Sequence, residues 1–224
     1  MTIPLSKLLA RTSVVLVLVV LLANYSWVHA ALVISDQHDC AEVLVQQAKQ
    51  RLAGLYQEVK STPQLVCLDQ PQLGLGHVIG TAHFAPGLPT IIVVNGDGQN
   101  VDVLAHEWAH AEFAHRVGVI SRTYRVPAWF DEGLAMQVDW RDSYADQALG
   151  EMLEETGGVP ALNDITTLSD FVQPGVVGRL NYAFSRCVVA EMLKHQPLDS
   201  LLAQSVGGLE PRVQNCSNRL FLMD

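Results

Sequence analysis

The segment His106-Glu107-Trp108-Ala109-His110 constrains this chain of 224 residues more than any other. Two imidazoles spaced by four can serve one ion when the backbone between them is helical, because 3.6 residues per turn returns the side chains to nearly the same face. The pattern predicts a helix over Asn100 to Val117, with Gly98 before it and Gly118 just after as an end signal. It also predicts a partner element. Two imidazoles do not complete a zinc site, so a third donor has to come from a segment folded back against this helix. Glu107 stands one residue on from the first histidine. There it can reach a metal-associated water without entering the coordination sphere, which is where a general base is needed.

Trp129-Phe130-Asp131-Glu132-Gly133-Leu134-Ala135 supplies the candidate third donor. It places acids inside an otherwise apolar helix, opened by Pro127 and expected to reach about Trp140. A carboxylate is costly to bury there unless it is paired or bound to metal. Glu132 is the expected ligand, with Asp131 as the alternative. The stretch between His110 and Glu132 suffices for the end of one helix, a loop around Ser121 to Arg125, and the first turn of the next helix. Two His and one carboxylate leave zinc's fourth position open, as in catalytic rather than closed structural sites.

On these two motifs the chain resembles the gluzincin-type zinc metallopeptidases, MA-like enzymes in which HExxH is followed on the next helix by a Trp-x-x-Glu-Gly-Leu-Ala-like motif. His106, Glu107, His110 and Glu132 match residue by residue, and the likeness spans roughly Gly76 to Leu193. The resemblance implies a zincin-like α+β fold, one Zn2+ ion held by His106, His110 and Glu132, and peptide-bond hydrolysis by a zinc-activated water with Glu107 as general base. It further implies an exposed edge strand that receives a peptide or protein substrate, here Thr90 to Asn95. A tyrosine on a later helix is implied as hydrogen-bond donor to the reacting carbonyl; Tyr182 is the best positional match. The chain departs from related groups. Metzincins carry Gly and a third His where Phe113 and Arg116 stand, and thermolysin-like enzymes carry an Asp four residues beyond the ligand Glu, where this chain has Met136. No Gly-x-Met-x-Asn stretch is present to hold a free amino terminus, so an endopeptidase is expected rather than an aminopeptidase. Two alternatives use the same residues: a catalytically silent zinc-binding scaffold and a membrane-anchored maturation factor. Glu107 favours the enzyme over the scaffold, which has no need of a base beside its ligands.

The remainder of the chain sets the context. Lys7 and Arg11 precede ten uninterrupted apolar residues, Val14 to Ala23, followed by Val28-His29-Ala30 at positions a signal peptidase reads. Residues 1–30 therefore read as a signal peptide, with an uncleaved anchor as the alternative. Either way the body, residues 31–224, is expected outside the cytoplasm: secreted, periplasmic, or anchored to a membrane through residues 1–30 alone. That body reads as a single domain, since no repeat or linker divides it. With 14 basic and 23 acidic residues the chain has a formal charge of -9, which leaves no broad basic surface for nucleic acid. Cys40, Cys67, Cys187 and Cys216 are even in number and all follow the signal. Of three connectivities, the local one, Cys40–Cys67 and Cys187–Cys216, is expected because each pair brackets neighbouring elements; buried free thiols are the alternative.

Periodicity predicts a helix over Asp39 to Val59, strands at Gln64 to Leu68, Gly76 to Phe84 and Thr90 to Val94, and helices at Asp146 to Glu155, Asn181 to His195 and Leu198 to Val206. A small N-terminal sheet with helices thus precedes a mostly helical C-terminal part. Several residues near the motifs have bland readings: Trp108 as core, Arg122 and Arg125 as a solvated loop, and His83 as a half-buried imidazole. Asp102 is read as a dipole-stabilising acid that could instead orient an imidazole.

Overall fold

The computed structural model describes residues 18–27, 37–69, 79–209 and 216. The expected cleavage site at Val28-His29-Ala30 and the start of the second expected strand, Gly76 and His77, lie outside these residues. The architecture is mixed α+β. Its first part contains β1 (Gln37–His38), α1 (Glu42–Tyr56), β2 (Gln64–Leu68), β3 (Gly80–His83) and β4 (Ile91–Asn95). These strands form one sheet in the order β1-β2-β4-β3, with β2 parallel to β4 and β3 antiparallel to it.

Alternation sorts the strand residues between two faces. Cys67, Ile92 and Val94 join the main core beneath the helices, while Val66, Leu68, Ile91 and Val93 cluster on the other face with Tyr25, from helical residues 18–27. The free edge is not where the sequence suggested. Thr90–Asn95 was expected to be exposed, but β4 is bonded to β2 on one side and β3 on the other, and all five of its residues are buried. The run Ile91-Ile92-Val93-Val94 has no polar alternation, as befits a strand covered on both faces. Among the described residues the outer strands are β1 and β3, and β3 is the one bonded to β4.

The helix α2 (Val101–Val117) crosses the sheet; Asn100 caps it by accepting from the Val103 amide at 3.0 Å. Its inner face buries Leu104, Ala105, Trp108, Ala109 and Phe113 in the main core, and Trp108 donates to Ser61 Oγ at 3.1 Å, so its core reading holds. Gly118, at φ 86°, turns the chain into a further helix, α3 (Val119–Arg125), where a loop was expected. Next comes α4 (Ala128–Ala135), shorter than predicted. It stops because the Gln137 side chain folds back to donate to the carbonyls of Gly133 at 2.8 Å and Arg186 at 2.9 Å, closing the helix end. The C-terminal part holds α5 (Asp146–Thr156), α6 (Leu168–Phe171), α7 (Gly175–His195) and α8 (Leu198–Ser205). α7 begins six residues before its predicted start at Asn181, taking in Gly175 and Gly178. The disulfides Cys40–Cys67 and Cys187–Cys216 both form; the first ties the chain before α1 to β2, the second joins α7 to residue 216.

Candidate metal centre

Two helices meet over the sheet and bring three donor atoms together. His106 and His110, one turn apart on α2, place their Nε2 atoms 3.2 Å from each other. From α4, Glu132 sets Oε2 3.3 Å from His106 Nε2 and 3.4 Å from His110 Nε2. The three residues are 5–6% exposed, too dry for water to satisfy them one by one. A tetrahedral ion bonded at about 2.0–2.1 Å separates its ligands by about 3.3–3.4 Å, the size of this triangle. Glu132 Oε2 is buried and accepts no hydrogen bond, so a cation shared by the three donors would satisfy an oxygen that otherwise carries a desolvation penalty. His106, His110 and Glu132 therefore form a group able to hold one metal ion.

α4 can approach α7 this closely because of Gly133. A Cβ at that position would lie 2.5 Å from the Ser185 carbonyl oxygen on α7. Behind each imidazole stands a carboxylate backed by an arginine. His110 Nδ1 is 2.9 Å from Asp131 Oδ1, and Asp131 Oδ2 pairs with Arg122 at 2.5 Å; the Arg122 guanidinium lies 4.3 Å over the Phe84 ring. Asp131 therefore stands behind His110 rather than in the donor triangle, and Arg122 is not a solvated loop residue. On the other side His106 Nδ1 makes a 3.4 Å ion-pair contact with Asp139 Oδ2, and Arg141 clasps the fully buried Asp139 through Nε and Nη2. A proton held on Nδ1 toward a carboxylate leaves Nε2 free to donate its lone pair to a metal. Asp102 does no such work, because it pairs with Arg51 at 2.5 Å and accepts from the Trp140 amide at 2.9 Å.

The charges reinforce one another. Burial disfavours charge on both imidazoles, yet Asp139 and Glu132 raise His106 to about 9, and Asp131 and Glu132 raise His110 to about 10. Burial likewise opposes ionisation of Glu132, but the two imidazoles hold its carboxyl far below the usual range. Glu107 differs. Burial pushes its carboxyl upward, and His106 and His110 offset only part of the rise. Its side chain lies against β3, where a Cβ at Gly80 would come within 3.0 Å of Glu107 Cγ.

Tyr182 stands on α7 with its ring centroid 6.2 Å from that of His106 and 4.8 Å from that of Phe171. Burial drives its phenol far above the ordinary value, so the proton stays on the oxygen. Gly80, His83, Glu107, Arg122 and Tyr182, together with the three donors, line a cleft of about 990 Å³. His83 is 9% exposed and its Nδ1 lies 3.1 Å from Asn24 Oδ1; burial lowers it to about 4. The two motifs announced the donor triangle and its neighbour Glu107. Asp139 and Arg141 went unnoticed; the available signal was an acid ending a stretch, Leu134 to Val138, that is apolar but for Gln137. No family model, curated protein or solved structure matches the chain, so the reading of this centre rests on its own geometry.

Proposed function

We propose that the protein is a zinc metallopeptidase of the gluzincin type with a zincin-like fold, acting as an endopeptidase on extended protein chains. The supporting observation is the triangle of His106, His110 and Glu132 donors, 3.2–3.4 Å on each edge, at a cleft that also holds Glu107. Bound zinc would polarise the scissile carbonyl and make the attacking water more acidic. Glu107, with its carboxyl raised by burial, accepts that water's proton and passes it to the departing amine. The Tyr182 hydroxyl keeps its own proton and donates to the carbonyl oxygen as negative charge gathers there.

The β3 edge is suited to hold the substrate backbone. Asn95 donates to the Ile79 carbonyl at 3.0 Å, so the alternating antiparallel pattern turns the amides and carbonyls of Gly80 and Ala82 away from β4. An added strand bonded to those groups would be read by main chain rather than side chain, which suits a broad peptide substrate. Two disulfides are compatible with a secreted or periplasmic protein, and no helix among the described residues is long and apolar enough to cross a membrane.

Metal analysis of the purified protein and its Glu107→Ala and Glu132→Ala variants, with a mixed peptide library scored for cleavage, tests the proposal. Stoichiometric zinc in all but Glu132→Ala, with hydrolysis in the wild type alone, is expected. An active Glu107→Ala protein, or a wild type without affinity for zinc, refutes it. Tightly bound zinc with no cleavage of any peptide by the wild type points to the scaffold instead.

A further inference from the structure

We propose that the segment from Asp139 to Tyr144, which follows α4, is a positioning strap that ties the first metal ligand, His106, to Tyr182. The inference rests on the zinc-site reading above and assigns a role to residues outside both motifs.

Asp139 is 0% exposed, and a carboxylate so placed is retained only at a cost that apolar packing would avoid. Its contacts show what it does there. Oδ1 accepts from the Arg141 amide at 3.2 Å and from Arg141 Nε at 2.9 Å, which fixes the carboxylate plane; Oδ2 faces His106 Nδ1 at 3.4 Å. The ring of His106 thus has its Nδ1 edge in ion-pair contact with Asp139, without a hydrogen bond, and its Nε2 edge toward Glu132. Beyond Asp139, the Arg141 guanidinium lies 5.0 Å over the Tyr144 ring, the Tyr144 ring is 5.7 Å from that of Tyr182, and the Tyr182 ring is 6.2 Å from that of His106. The circuit closes on the residue where it began, with its Asp139 end against His106 and its Tyr144 end against Tyr182.

The strap is also fixed from outside. Its Trp140 amide donates to Asp102 in the first turn of α2, the Arg51 guanidinium covers the Trp140 ring at 4.0 Å, and Arg186 of α7 donates to the Tyr144 carbonyl at 3.0 Å. One short segment is thus bonded to the helix that carries His106 and to the helix that carries Tyr182. Such double anchoring sets the distance between ligand and phenol.

Zinc affinity by chelator competition, the visible spectrum of the cobalt-substituted protein, and circular dichroism as a fold check test the strap on the full chain. Asp139→Asn is expected to weaken zinc by about 10–100-fold and to shift the cobalt bands. Arg141→Gln, at a half-buried and more tolerant position, is expected to move both readouts the same way by less. Tyr144→Leu should keep zinc affinity while lowering kcat on the peptide library by about tenfold with KM unchanged, since a misplaced donor costs rate rather than binding. Folded Asp139→Asn and Arg141→Gln proteins with wild-type zinc affinity and an unaltered cobalt spectrum overturn the proposal; should Asp139→Asn fail to fold, Arg141→Gln alone decides. Wild-type kcat in Tyr144→Leu severs Tyr182 from the strap. A wild type that binds no zinc is a different failure, visible before any variant is made, and removes the zinc-site reading as well.

Discussion

Replacing Gly133 with alanine alters the metal centre without touching a ligand. The added Cβ would lie 2.5 Å from the Ser185 carbonyl oxygen and 2.8 Å from its carbonyl carbon, both main-chain atoms of α7 that cannot rotate away. Contact of that kind begins near 3.4 Å, so α4 and α7 have to part by about 0.9 Å. Glu132 is the adjacent residue on the same helix and moves with it. Its 3.3 and 3.4 Å separations from the two imidazoles then change, away from the about 3.3–3.4 Å a tetrahedral ion requires. Overpacking of this sort costs about 1–3 kcal/mol, set against a helix-propensity gain of about 1 kcal/mol for Gly to Ala. The net expectation is a lower melting temperature for Gly133→Ala and zinc binding weakened by at least about tenfold, read by thermal unfolding with chelator present and by chelator competition. Were the helix crossing loose, propensity alone would act and the variant would be more stable than wild type. A raised melting temperature together with undiminished zinc affinity would refute the reasoning.

If Tyr182 donates to the reacting carbonyl as proposed, Tyr182→Phe is expected to slow hydrolysis by about 10²–10³-fold with zinc retained; wild-type rates in a peptide assay would take the residue out of the chemistry. Gly80→Ala drives a methyl to 2.5 Å from Val103 Cγ1 and 3.0 Å from Glu107 Cγ, so it should lower kcat more than zinc affinity, measured on the same protein samples. If zinc loads at neutral pH, it displaces the Nε2 protons of the two imidazoles, whose values the surrounding carboxylates raise to about 9 and 10, while the Nδ1 protons facing Asp139 and Asp131 stay. Since those protons leave only as pH rises through that range, apparent zinc affinity should climb with pH from 6 toward 9. Calorimetry in buffers of different ionisation enthalpy reads the release directly; a pH-independent affinity would contradict the charge arrangement.

What the amino-acid sequence determined by itself is local. A spacing of four places His106 and His110 on one helical face whatever surrounds them, and the Trp129–Ala135 motif identifies Glu132 as the acid that returns to meet them. Cysteine separations of 27 and 29 residues, each bracketing adjacent elements, sufficed for both disulfides. The tertiary structure decided matters that depend on distant segments. Whether β4 or β3 carries the open edge depends on where β2 pairs, 27 residues away in sequence at Gln64↔Ile91 and its successors. Arg122 belongs to the site because α3 turns it toward Asp131, and Asp139 because the chain leaves α4 early enough to pass behind His106. Periodicity and spacing report which face a side chain occupies along its own element. The partner on the other side of a buried charge is chosen by contacts between elements, where burial makes an unpaired carboxylate or guanidinium too costly to leave alone.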